Sequence, residues 1–191
     1  MFIRLARSAV TLLVVMTVLL GIAYPLVITG IAKVAFPRQA AGSLIVRDGK
    51  VVGSTLIGQS FSDAKYFWGR PSATAPQPYN GLASSGSNFG PLNPALTDAV
   101  KANAKALRDA DPSNARPIPV DLVTTSASGL DPEISTAGAH YQAGRIAHSR
   151  GIALAQVDAL IDAHEQGRTF GFIGEPRVNV LELNLALDEL R

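Results

Sequence analysis

Apolar residues fill the chain from Ala9 to Ala32, 24 positions without a charge, and the run continues past Lys33 to Ala35. At about 1.5 Å of rise per residue, a helix of that length crosses a hydrocarbon core of about 30 Å with some tilt. The pattern predicts one transmembrane helix over 9–35 behind a tail of residues 1–8. A secretory leader has a shorter apolar run, of about 7–15 residues, and small side chains before its cleavage point. Lys33 and Gln39 stand where those small residues are needed ahead of Ala35 and Ala41, so an uncleaved anchor is expected. A soluble domain of this size seldom surrounds so long an apolar cylinder. Pro25 lacks an N–H and its ring presses on the carbonyl of Gly21, which predicts a bend or a looser turn there. Thr17 and Gly21 form a small-xxx-small pair of the kind that lets a second helix approach.

Beyond a juxtamembrane linker over 36–42, the periodicity changes and predicts one α+β domain over 43–191. Ser43–Val46 and Val51-Val52 flank Arg47-Asp48-Gly49-Lys50, where Asp-Gly suits the positive φ of a tight hairpin. Ser54–Ile57 is expected to continue that sheet, and Tyr66-Phe67-Trp68 to pack its aromatic rings. From Pro71 to Pro94 no period survives among recurring Pro, Gly, Ser and Asn, which predicts a long, ordered, irregular segment. A helix is expected from Pro94 to about Asp109, with Leu96, Val100 and Leu107 inward. A buried strand is expected over Pro119–Thr125. Asp131-Pro132 reads as the capped start of a helix reaching Arg150. A further helix is expected from Leu154 to Gln166, ending at Gly167, with Val157, Leu160 and Ile161 buried. The tail from Val178 reads as a short strand leading into a terminal helix.

Charge refines this picture. Of 17 basic residues, Arg4, Arg7, Lys33 and Arg38 lie at or beside the apolar run, whereas all 15 acidic residues follow it. The extramembrane part is therefore slightly acidic, and the basic pI does not mark a nucleic-acid surface. The acid-free tail leans only weakly toward the cytoplasm. With no cysteine in the chain, disulfides, thiolate metal sites and thiol nucleophiles are excluded.

Candidate chemistry is sparse. Gly53 and Gly58 have the spacing of a phosphate-binding loop, but Gln59 replaces the required lysine and no helix is expected to follow. His140, His148 and His164 lack i, i+4 spacing and are expected in surface or capping roles. A Gly-x-Ser-x-Gly elbow, an Asp-Lys-Thr-Gly phosphorylation motif and a carbonyl-lined potassium filter are all absent. What stands out is Ser84–Asn93 together with Asp121–Pro132, two strings of hydroxyl and glycine residues. The second joins a predicted strand to a predicted helix N-terminus, where free amides suit an anion or a partner's backbone.

Several segments together resemble a known family. They are Gly58-Gln59-Ser60-Phe61, Tyr66-Phe67 with Arg70-Pro71-Ser72-Ala73, Tyr79-Asn80, Ser87-Asn88 with Gly90-Pro91, and Val123-Thr124 through Ser128-Gly129-Leu130-Asp131-Pro132. Tyr141-Gln142, Arg145, and Val178-Asn179-Val180-Leu181 with Leu183-Asn184 complete the set. Behind an N-terminal membrane helix and in this order, they resemble the C subunit of the Kdp-type potassium-transporting ATPase along nearly the whole chain. The resemblance implies a bacterial inner-membrane complex in which a channel-like subunit binds potassium, a P-type subunit hydrolyses ATP, and this subunit is a non-catalytic accessory with its domain outside the cytoplasm. It also implies two roles that conflict: a catalytic chaperone that raises the ATP affinity of the hydrolysing subunit, with ATP shared between them, and an assembly or gating role near the potassium entrance. ATP is a cytoplasmic ligand, and the residues themselves suit docking better. Two other classes stay open: a membrane-tethered nucleotide-binding module using Ser128, Gly129 and Gln142, and a tethered hydrolase. No metal and no cofactor of its own is expected.

Overall fold

Pro25 shapes the N-terminal helix as its covalent structure requires. In the computed structural model, which describes residues 2–190, α1 (Phe2–Met16) and α2 (Tyr24–Ala35) are joined through a wider, π-helical turn over Thr17–Ala23. The Tyr24 N–H bonds back five residues to Leu19 O, which loosens the turn around Gly21 where the proline ring would otherwise press. The three pieces form one continuous helix of 34 residues, whose most apolar 18-residue stretch has a mean hydropathy of 2.4, starting ahead of the apolar run so that Arg4 and Arg7 are helical. None of its side chains is buried within the chain. A helix apolar on every face and unpartnered in its own chain has the length and character of a membrane span. Phe36 leaves helical geometry, and Pro37 opens the single turn α3 (Pro37–Ala40). The chain divides into two compact units after Leu44.

The second unit begins with the predicted hairpin. Strands β1 (Leu44–Arg47) and β2 (Lys50–Ser54) pair across Asp48 and Gly49, whose φ of 49° and 74° match a type I′ turn. The sheet does not continue through Ile57, as the alternation suggested. Ser54 Oγ accepts the Leu56 N–H at 3.1 Å and Ser54 bridges to Ile57, so the chain folds back on itself. From there to Asn93 the described chain has neither helix nor strand. Asn93 then caps α4 (Pro94–Ala110) by accepting the Ala95 N–H, with Leu107 buried and Val100 packed on the core.

Two expectations fail between Pro119 and Ser135. Val120–Leu122 is a 3-10 turn, not a strand. Thr124 turns its hydroxyl back to Val120 O at 2.8 Å, a local bond that competes with extended structure. Asp131-Pro132 does not start a helix either: it leads into β3 (Glu133–Ser135), and α5 (Thr136–Arg150) starts three residues later. Ser135 Oγ caps α5 by accepting the Gly138 N–H at 2.9 Å, and Gly151 at φ 66° ends it. Helix α6 (Leu154–His164) stops short of Gln166, because Glu165 and Gln166 form the small strand β4. The tail follows its prediction, with β5 (Arg177–Asn179) leading into α7 (Val180–Leu187).

The three short strands form an antiparallel sheet in the order β3-β5-β4, with Ile134 opposite Val178 and Gln166 opposite Arg177. α5 lies at the centre of the core. Its small residues Gly138, Ala139, Ala143 and Ala147 allow close approach, and Ile146 meets Val157, Ile161, Leu183 and Leu187 in one cluster. Phe67 is fully buried in that cluster although its segment has no strand neighbour. Side chains supply the missing ladder. Asn184 Oδ1 accepts the Phe67 N–H at 2.8 Å while its Nδ2 donates to Phe67 O at 3.0 Å. Gln142 does the same for Trp68, at 2.8 and 3.1 Å. The Arg145 guanidinium donates to Ala64 O, Tyr66 O and Gln142 Oε1 and lies 4.6 Å from the centroid of the Trp68 ring.

Asn184→Ala strands a buried donor and acceptor at Phe67 together, which costs about 3 kcal/mol. Denaturant unfolding of the detergent-solubilised chain, followed by fluorescence of its single tryptophan, Trp68, should show that loss. Exposed Ser113→Ala should stay within about 0.5 kcal/mol of the parent; equal midpoints for the two variants would remove the paired-amide account.

Candidate functional site

The two hydroxyl-and-glycine strings meet in space. Ser128 O accepts both the Ser85 N–H at 3.0 Å and the Ser84 hydroxyl at 2.9 Å, and Thr125 Oγ1 lies 3.1 Å from Ser87 Oγ. Gly129 has φ 66°, and a Cβ there would stand 2.6 Å from Ser85 O, so only glycine fits. Its N–H donates to Ser126 Oγ at 2.9 Å and its carbonyl accepts the Ser72 hydroxyl at 2.6 Å. Ser72 Oγ in turn accepts the Tyr79 N–H, and Thr74 Oγ1 accepts the Asn80 N–H while donating to Gln77 O. The irregular segment 69–93 is thus ordered by short side chains that close its own turns and bind it to 125–130.

Arg70 joins this cluster to the sheet. Its Nη1 lies 3.1 Å from Asp131 Oδ2, and its Nη2 donates to Thr125 O at 3.3 Å. Asp131 also accepts the Glu133 N–H at 3.0 Å, and Asp121 accepts both the N–H and the hydroxyl of Ser135. Both carboxylates therefore hold the entry to β3 and α5, where Asp131 had been expected to cap a helix directly. Tyr79 covers the other side: its hydroxyl donates to Arg70 O at 2.5 Å. Burial first, and the charge of Asp131 second, push its phenol up to about 12 against the opposing pull of Arg70. The glycines whose spacing imitates a phosphate loop have packing reasons. Gly58 makes room for the Tyr79 ring, and Gly53 for Gln59 and Leu181.

Arg70 borders three shallow clefts. One of about 560 Å³ lies among Leu56, Ser126, Ser128, Leu130 and Asp131, a second of about 320 Å³ among Gln59, Phe61, Trp68 and Tyr79, and a third of about 310 Å³ beside Glu133 and Arg177. A fourth, of about 450 Å³, lies between Phe89, Val100 and Val123.

The structure brings Ser128 and Gly129 together but puts Gln142 elsewhere. Gln142 is 1 % exposed and engages Trp68 and Arg145, sharing no hydrogen bond with the other two. The Arg70–Asp131 pair carries no sequence signal, since its members lie 61 residues apart. His140 was also only partly legible. It meets two aspartates of α6, Nδ1 to Asp158 at 2.8 Å and Nε2 to Asp162 at 3.5 Å, while His164 bonds to Leu160 O in its own helix. Among the described residues, no group of three or more His, Asp or Glu side chains is arranged to hold a metal ion.

Tyr79 binds its proton more tightly in the folded chain than the ordinary phenol value of 10 allows. Its contribution is full below pH 10 and is lost as pH rises toward 12. Burial pulls Arg145 the other way, down to about 10, but Arg145 is common to parent and variant and cancels in their difference. Tyr79→Phe should therefore flatten the alkaline fall in unfolding midpoint, and parallel pH profiles would contradict the buried phenol.

Comparison with known proteins gives one answer. The family described as KdpC, K+-transporting ATPase, c chain, matches residues 6–189. A potassium-transporting ATPase KdpC subunit of Variovorax paradoxus (strain S110) is 64 % identical over 182 residues, 95 % of this chain and 94 % of its own. The protein of the same name from Methylibium petroleiphilum is 63 % identical over 187 residues, 98 % of each chain, and that of Dechloromonas aromatica (strain RCB) 62 % over 186 residues, 97 % of each. With its apolar N-terminal helix and mixed domain both inside the matched region, the chain belongs to the KdpC family, the c chain of K+-transporting ATPases.

Proposed function

We propose that this chain is the non-catalytic accessory subunit of an ATP-driven potassium importer. Its helix crosses the bacterial inner membrane once, and its mixed domain lies on the outer face, docked on the channel-like subunit beside the potassium entrance. A P-type neighbour hydrolyses the ATP. One observation carries the docking reading over nucleotide chemistry. The donors that the nucleotide reading needs, the Gly129 N–H and the Gln142 NH2, are engaged in hydrogen bonds within the domain. A phosphate cradle needs such groups unengaged. A rigid, hydroxyl-lined surface held by its own network instead presents a pre-organised face to a partner, which lowers the entropy lost on association.

The catalytic-chaperone reading, with ATP shared with the hydrolysing subunit, draws on a different observation. Arg70, Ser126 and Ser128 border the same open cleft of about 560 Å³, which gathers a cationic and two hydroxyl-bearing residues around one space. Arg70 is already held by Asp131, which makes it a weak recruit for phosphate and leaves docking the better-supported role.

Side and ligand are tested separately. The chain has no cysteine, so Ser113→Cys places one thiol at an exposed position. A membrane-impermeant maleimide should label it in intact cells; labelling only after permeabilisation would put the domain in the cytoplasm. An azido-ATP analogue should give the full-length chain in detergent no label that excess ATP removes. Competed labelling that disappears in Ser128→Trp would favour the nucleotide-binding module.

A further inference from the structure

Strands β4 and β5 are joined by a connection whose tip is the most apolar exposed element of the second unit. Thr169 and Ile173 exchange backbone hydrogen bonds at 2.8 and 3.0 Å. Gly171 at φ 82° lets the chain reverse within that bridge, and Gly174 at φ 83° turns it just beyond. Phe170 is held at φ 55°, a conformation that bulky side chains rarely adopt. The base is as firmly set, for Gln166 pairs with Arg177, and Val178 is fully buried. Yet Phe170 is 85 % exposed, Phe172 72 % and Ile173 51 %. The sequence hides this element, because a few apolar residues between glycines look like any loop.

We infer that this tip is a docking prong that inserts into an apolar pocket of another protein subunit of the transport complex; the inference rests on the accessory-subunit reading. The choice of occupant follows from charge. Arg168 pairs with Glu175 at 2.5 Å and Arg177 with Glu133 at 2.8 Å, so the cations flanking the tip are already neutralised within the domain. Loops that dock on anionic bilayers keep Lys and Arg unpaired and place Trp or Tyr at headgroup level. The tip has neither aromatic type. An uncharged pocket in a protein fits a neutral, aromatic projection, because the bridged backbone is already ordered and each Phe has only two side-chain torsions to lose on burial. Three side chains are fewer than a standard interface needs, so the prong acts as an anchor point inside a larger contact.

The test uses the assembled complex, co-expressed and drawn from detergent extract by a tag on this chain. Phe170→Ser with Phe172→Ser should lower the ATPase activity recovered per mole of tagged chain about tenfold, with the Trp68 unfolding midpoint unchanged. Full-length chain carrying p-benzoylphenylalanine at position 170 should crosslink on irradiation to a different subunit of the complex. This second measurement decides the matter should the double variant fold poorly. If the parent chain recovers no ATPase at all, the accessory-subunit reading fails. If the parent recovers it, three results would overturn the prong alone: equal recovery by a folded double variant, crosslinks to phospholipid or to a second copy of this chain, or no crosslink.

Discussion

A buried peptide group without a hydrogen-bond partner is among the most destabilising features a small domain can contain, and the segment from Ala64 to Trp68 carries Phe67 into the core with no strand beside it. Everything around α5 follows from how that requirement is met. Asn184 from α7 and Gln142 from α5 each present a carboxamide whose donor and acceptor are spaced like those of a neighbouring strand. Arg145 takes the carbonyls that remain, and Arg150 adds bonds to Lys65 O and Leu187 O. Two helices far apart in sequence are thereby fixed to one irregular segment, and Phe67 is held at the bottom of the cluster they share.

The same solution recurs in the loop cluster at smaller scale. Ser72, Thr74, Ser126 and Ser128 accept or donate where regular structure is missing, and Gly129 permits an approach that a methyl group would block. Around the clefts that Arg70 borders, these hydroxyls are engaged within the domain, while the buried Arg70 Nε has no hydrogen-bond partner among the described residues. Such a surface suits recognition by shape and complementary contact more than the polarising of a reactive bond, as the proposed accessory role requires.

The sequence makes local structure legible here and long-range pairing illegible. The β1–β2 hairpin could be read because Asp48-Gly49 carries its own turn geometry, and the loosened turn of the N-terminal helix because Pro25 carries its own steric conflict. The terminal strand and helix were expected although Leu183 and Leu187 fit helical spacing and strand alternation alike; the structure resolves the tail into β5 and α7. Val120–Leu122 could not be read, because β-branched residues suit a strand only where a partner exists. β3 was missed for the converse reason: Ile134 becomes a strand residue through Val178, far along the chain, while Asp131-Pro132 offers a persuasive local helix signal. Gln142 illustrates the same gap. A polar side chain in a helix suggests a ligand site until the buried backbone it serves is known.

The pairing of Gln142 and Asn184 with peptide groups fixes chain length more tightly than residue type between Gly58 and Arg70. Carboxamides that recognise main chain are indifferent to which side chain that main chain bears, but they count residues. One inserted or deleted position would slide Phe67 out of its socket and offer the two amides the wrong pair of peptide units, however conservative the added residue.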